Sequence, residues 1–242
     1  MMENTMQQSF MTHLSGSWAN NTLNFFSTDS LEAYNANLAK QSEDWVYRTK
    51  QITYQTNELG FREKPFADID WANSIVVIGC SHVFGYGLAY EDTFCAVLSH
   101  LLATPVVNLG IPSAGPDLAH YNSLILHNHY PRPKAIVQAW SSLDRYVDMT
   151  VEGEVIPYLP RWNSYIYDHN WVSRNKLYVE SDRALWRDKL PYVELSFFPF
   201  TASTLEIHGI DFEDKARDLS HPGIKTVLNS ASYTATQLQA HK

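Results

Sequence analysis

Ser81 stands directly after a short apolar run, Ile75-Val76-Val77-Ile78-Gly79-Cys80, and glycines recur at positions 79, 85 and 87. A hydroxyl just past a buried strand, at the start of a helix, is placed to act as a nucleophile. The N–H groups of the same turn can receive a developing oxyanion. Two other chemistries compete for such a turn. A dinucleotide fingerprint needs Gly-x-Gly-x-x-Gly and an acidic residue ending the next strand; here the glycine spacing differs and that strand ends on Asn108. A phosphate loop needs a lysine after its last glycine, and residues 75–87 contain none. A nucleophilic serine also needs a base, and the base an orienting group. The stretch Asp218-Leu219-Ser220-His221-Pro222-Gly223 offers both. A carboxylate beside Nδ1 would fix the imidazole tautomer and leave Nε2 for a hydroxyl. The same Asp and His could equally cap the helix that follows, and spacing alone leaves both roles open.

Other chemistry-bearing residues cluster around these. Cys80 adjoins Ser81 and reads as a small half-buried thiol. His82 reads as a loop or substrate-edge residue. Trp140 ends the third apolar run, and Asp144 and Arg145 follow it; the charged pair either shapes a pocket or pairs internally. His127 and His129 sit near a helix end without a neighbouring carboxylate or thiol, so no metal site is expected.

The elements that must position these residues follow a rhythm. Residues 74–79, 104–110 and 134–140 are continuous apolar strands. Residues 91–103, with Asp92 as the expected cap, and 117–129 have helical spacing. Alternating strands and helices with apolar rather than alternating strands predict a parallel sheet covered on both faces. Ligands bind such sheets beyond the carboxyl ends of their strands, where the turns after residues 78, 108 and 140 lie.

The flanks differ from this core. Residues 1–70 are read as an N-terminal arm of one or two helices packed on the main body, with a strand signal near residue 51. Residues 71–242 form the main domain. Residues 140–200 carry 13 aromatics, against about eight at the average frequency. Interrupting prolines at 157, 160, 191 and 199 mark an insertion over about 145–200, expected to lie as a lid on the functional edge. Most of its rings, among Trp162, Tyr165, Tyr167 and Trp171, are read as its own core, and Trp140 with a minority as a stacking surface for sugars.

The chain has 242 residues and 45% apolar content, enough for one large core. A net charge of −8 without a basic run argues against nucleic acid as partner. Two cysteines make no disulfide framework, and neither a signal peptide nor a run long enough to span a membrane is read. A reducing cytoplasmic setting is expected, or association with a particle such as a virion.

Taken together, "VVIGCSHVFGYG", "VVNLGIPSAGPD" and "DLSHPG" resemble the first, second and last blocks of the SGNH or GDSL-type hydrolases, over roughly residues 74–242. "NELGFRE" (57–63) is similar to a stretch often found ahead of the first block. The resemblance implies a flavodoxin-like three-layer α/β/α sandwich and serine hydrolysis of esters, often acetyl esters of carbohydrates, without a cofactor. It makes Ser81 the nucleophile, His221 the base and Asp218 its orienter. It places oxyanion donors at Ser81 and at Ser113 or Gly115. The third block's Asn is missing from "QAWSSLDRY", where Ser142 is the nearest substitute. That gap sustains an alternative, an SGNH-fold binding or structural module that recognises a glycan within a larger assembly.

Overall fold

The structure, a computed structural model, describes residues 10–14, 18–149, 155–158 and 169–241. In chain order the strands are β1 (Thr22–Leu23), β2 (Tyr54–Gln55), β3 (Ile75–Gly79), β4 (Val106–Gly110), β5 (Ala135–Trp140), β6 (Tyr146–Met149), β7 (Val155–Tyr158), β8 (Tyr192–Ser196) and β9 (His208–Gly209). The helices are α1 (Leu31–Leu38), α2 (Ser81–Phe84), α3 (Phe94–Leu102), α4 (Pro116–His129), α5 (His169–Trp186), α6 (Pro199–Leu205) and α7 (Ile224–Ala240).

Five strands form one parallel sheet in the order β4-β3-β5-β8-β9. This is the flavodoxin-like doubly wound order, with β3 at the switch point. Helices α3 and α7 pack together, as do α4 and α5, and the two pairs enclose the sheet as a three-layer α/β/α sandwich. The continuous apolar runs are explained by this enclosure. Every residue of β3 and β5 is buried, and Val76, Val77, Ile136 and Val137 are 0% exposed. Each such side chain stabilises the fold by about 1.5–3 kcal/mol.

Within the described part of the arm there is one α-helix, α1, and the strand signal near residue 51 corresponds to the two-residue β2. Two readings need correction. Thr93, not Asp92, caps α3 by accepting the Ala96 N–H; Asp92 is paired instead with Lys50. The second concerns the aromatic segment. Much of 145–200 is not an insertion: α5 packs on α4, and β8 pairs with β5 as the fourth strand of the sheet. The signal was hidden because charged and polar side chains interrupt both elements. Glu194 in β8 pairs with Arg183 and Arg187 and accepts the Trp140 indole N–H. In α5, Asn175 and Asp182 occupy the same buried stripe as Val172, Val179 and Trp186.

What stands outside the sandwich is the antiparallel β6–β7 hairpin. It docks at the functional edge, where the Val147 N–H donates to Asp117 in the first turn of α4, at 2.7 Å. Tyr146 stacks between Trp171 and Tyr158, with ring centroids 3.7 and 4.7 Å away. Trp162, Tyr165 and Tyr167 lie outside the described residues.

Candidate active site

Strand β3 ends at Gly79, and the chain turns at once into the single turn α2, whose four residues Ser81, His82, Val83 and Phe84 are all buried. Gly85 stops this turn in the left-handed region, at φ +85°. Gly87, at φ +69°, lets another segment pass closely: a Cβ there would meet Ala216 Cβ and Arg217 N at 2.8 Å. That segment leads into the Asp218–His221 loop. The glycines at 85 and 87 therefore stop the Ser81-bearing turn and bring the Asp218–His221 loop against it.

The loop is held by its own backbone. The Ala216 N–H donates to the His221 carbonyl and the Arg217 N–H to the Gly87 carbonyl, at 2.9 and 3.1 Å. Leu219 takes φ +57° at its tip. Asp218 Oδ1 accepts the N–H groups of Ser220 and His221 at 3.0 and 3.1 Å. Oδ2 lies 2.6 Å from His221 Nδ1 and accepts the Thr28 hydroxyl at 2.9 Å. His221 Nε2 lies 2.9 Å from Ser81 Oγ. A carboxylate at Nδ1 puts the ring proton there and leaves Nε2 to accept from the serine. Burial raises the Asp218 pKa, but the His221 hydrogen bond and charge and the two backbone donors outweigh it and bring it down to about 2. Asp218 and His221 do not cap α7. Asp214 does, by accepting the N–H groups of Lys225 and Thr226.

The arm reaches this loop from the far end of the sequence. Besides the Thr28 contact, Asp29 pairs with the buried Arg217 at 2.7 Å and accepts the Tyr54 hydroxyl. Tyr54 Oη in turn accepts the Gly87 N–H at 2.7 Å, and Asn37 Nδ2 donates to the Arg217 carbonyl at 3.0 Å. Sequence reasoning missed Thr28, since one threonine in a polar arm carries no periodic or spacing signal.

Neither a protein-family model nor a curated protein sequence matches the chain. Solved structures are similar at low identity. A family 2 carbohydrate esterase with a carbohydrate-binding domain, from Corynascus thermopiles (Myceliophthora fergusii), has a TM-score of 0.49 and 12% identity. The similarity covers 70% of this chain and 66% of that one, just under two thirds of its length. A lipolytic protein of the G-D-S-L family from Desulfitobacterium hafniense DCB-2 gives 0.43 and 14%, over 69% and 99% of the two chains. An SGNH-hydrolase family esterase gives 0.38 and 13%, over 72% and 98%. The chain is similar to the SGNH-type hydrolases.

The remaining SGNH-type positions are distributed around the carboxyl edge of the sheet. The loop after β4 is tied to the end of β3 by the Ile111 N–H, which donates to the Gly79 carbonyl at 2.9 Å. Ser113 adopts φ +64° in this loop, a region where glycine is at ease and serine is strained. Gly115 caps α4 and lies against the Arg145 carbonyl, 2.5 Å from where a Cβ would stand. Ser142 departs from the role expected of it: its hydroxyl donates to Asp144 at 2.5 Å, so its proton is already engaged. Trp140 also departs. It is 1% exposed and its indole N–H is bound by Glu194, so it is core and not a sugar platform. Its place at the end of a fully buried strand explains this.

His82 is not at a substrate edge either. It is buried, stacked on Phe198 with centroids 4.9 Å apart, and set edge-on to His221 at 5.3 Å. Burial, then the His221 and Arg145 charges, holds its pKa well below the usual range, so it stays neutral. Tyr86 flanks the other side of His221 at 4.9 Å. Cys80 is buried beneath the turn and Asp144 and Arg145 do not pair with each other. Among the described residues, no group of three His, Cys, Asp or Glu side chains is arranged to hold a metal, and no helix is long and apolar enough to cross a membrane.

Proposed function

We propose that the protein is a serine esterase of the SGNH type, acting on an acyl ester, acetyl foremost, of a carbohydrate or other small alcohol. The observation that carries this reading is the continuous hydrogen-bonded line Asp218–His221–Ser81, with links of 2.6 and 2.9 Å. Ser81 Oγ attacks the ester carbonyl while His221 Nε2 takes its proton. The proton then passes to the departing alcohol oxygen, leaving an acyl-serine. Water adds to that carbonyl with His221 again as base, and the carboxylic acid leaves as the proton returns to Ser81. Asp218 holds the imidazole and stabilises the imidazolium. The Ser81 N–H and an N–H of the Ser113–Gly115 loop receive the oxyanion.

Hydrolysis of p-nitrophenyl acetate, with fluorophosphonate labelling of Ser81, tests the proposal. Ser81→Ala and His221→Ala should each lower turnover by at least about a thousandfold, and the double variant little further, since the two act as a unit. A folded protein that turns over no ester and takes no label is instead a binding module built on the same fold.

A further inference from the structure

Arg145 stands where four loops of the functional edge meet. It belongs to the loop after β5. Its carbonyl presses on Gly115 in the loop after β4. Its guanidinium lies 4.9 Å from the centroid of the Phe198 ring, in the loop after β8. Phe198 in turn stacks on His82, the residue after the nucleophile, at an interplanar angle of 14°. The Arg145 backbone is fixed by Asn175 Nδ2, which donates to its carbonyl at 2.7 Å.

Among the described residues no acid pairs with its charge: the Lys and Arg ion pairs belong to Lys50, Arg183, Arg187 and Arg217. The adjacent Asp144 accepts from Ser142, and both oxygens of Asp117 accept backbone N–H groups, from Leu118 and Val147. Arg145 Nη1 is buried with no hydrogen-bond partner. A buried guanidinium donor left unpaired costs more than an unpaired neutral donor. In a chain of net charge −8, carboxylates are plentiful, yet among the described residues none pairs with this cation. A planar fork braced on an aromatic face suits a carboxylate.

We infer that Arg145, braced on Phe198, forms an anion subsite at the sheet edge that carries Ser81, so that the preferred substrate is an ester bearing a carboxylate near the scissile bond. The inference rests on the esterase reading and narrows its substrate class. The carboxylate belongs either to the alcohol, as in an acylated sugar acid, or to the acyl group, as in a dicarboxylic half-ester. The series Arg145–Phe198–His82 runs up to the His221 imidazole, which returns the proton to the departing alcohol, and this favours the alcohol side.

Four esters separate these cases: acetylated glucuronic acid against acetylated glucose, and p-nitrophenyl hemisuccinate against p-nitrophenyl butyrate. The wild type should favour acetylated glucuronic acid over acetylated glucose in kcat/KM by about tenfold or more, the range of a charge-assisted hydrogen bond. Arg145→Gln should bring this ratio to about one, through KM, and Arg145→Lys should restore part of it. Arg132→Gln, an exposed charge removed elsewhere, should leave the ratio in place. A preference confined to the hemisuccinate overturns the alcohol-side assignment. Equal rates on both pairs, or a ratio that survives in Arg145→Gln, overturn the subsite. If no ester is turned over, titration calorimetry of Ser81→Ala with glucuronate and glucose decides the same point: glucuronate binding lost in Ser81→Ala/Arg145→Gln supports it, and equal affinity for the two sugars sinks it.

Discussion

The Thr28 hydroxyl donates to Asp218 Oδ2 at 2.9 Å, across 190 residues of sequence, and shares that oxygen with His221 Nδ1. The N-terminal arm thus supplies one of the four donors that surround the candidate orienting carboxylate. A hydrogen bond to a charged acceptor contributes roughly 1.5–3 kcal/mol.

Thr28→Val keeps the shape and removes the donor. We expect kcat on a small acetyl ester to fall about tenfold with little change in KM, and Thr28→Ser to restore most of it. With one donor fewer, the Asp218 carboxylate protonates more easily, so the pH–stability profile of Thr28→Val should begin its acid fall at a higher pH. A profile that scales down without moving would assign Thr28 to packing alone.

Asp218 makes stability depend on pH in a definite direction. Its pKa is depressed to about 2 in the folded protein, against about 3.9 in an unfolded chain. The stabilisation is therefore fully present above about pH 4 and is lost as pH falls through about 2. It amounts to about 2 kcal/mol. Urea unfolding of the wild type and Asp218→Asn should show a stability gap at pH 7 that narrows by pH 2.5. A gap of constant size would contradict the assignment.

Ser113→Gly should stabilise the protein. The left-handed conformation costs a serine about 1–2 kcal/mol, offset in part by the extra chain entropy of glycine. A gain of about 0.5–1 kcal/mol in thermal unfolding is expected, with ester hydrolysis retained because the backbone N–H is unchanged. A loss of stability would mean that the Ser113 side chain contributes more than its backbone strain costs.

Ser142→Ala distinguishes the two uses of that hydroxyl. Held by Asp144, it has no proton free for an oxyanion, and turnover should stay within about twofold. Loss of a true oxyanion donor would instead lower kcat a hundred- to thousandfold, or about 2.7–4 kcal/mol.

Much of this protein was legible in local sequence because local physics produces it. Continuous apolar runs such as Ile75–Gly79 and Ala135–Trp140 specify strands buried on both faces, and the glycines after β3 specify where a turn must end. The Asp218–His221 pair sits within one short loop, so its spacing was visible too, though not its choice between catalysis and capping. Tertiary structure removed the capping role, since Asp214 took the helix cap, and it brought Ser81 within 2.9 Å of the imidazole. Elements whose buried faces are polar escaped the pattern, because Asn175, Asp182 and Glu194 bond to Leu143, Gln138 and Trp140, all more than 30 residues away. Trp140 and Ser142 illustrate the same limit. Residue type says that a ring can stack and a hydroxyl can donate, but only the fold decided that Glu194 and Asp144 would take those groups first, and that none of the described acids would pair with Arg145.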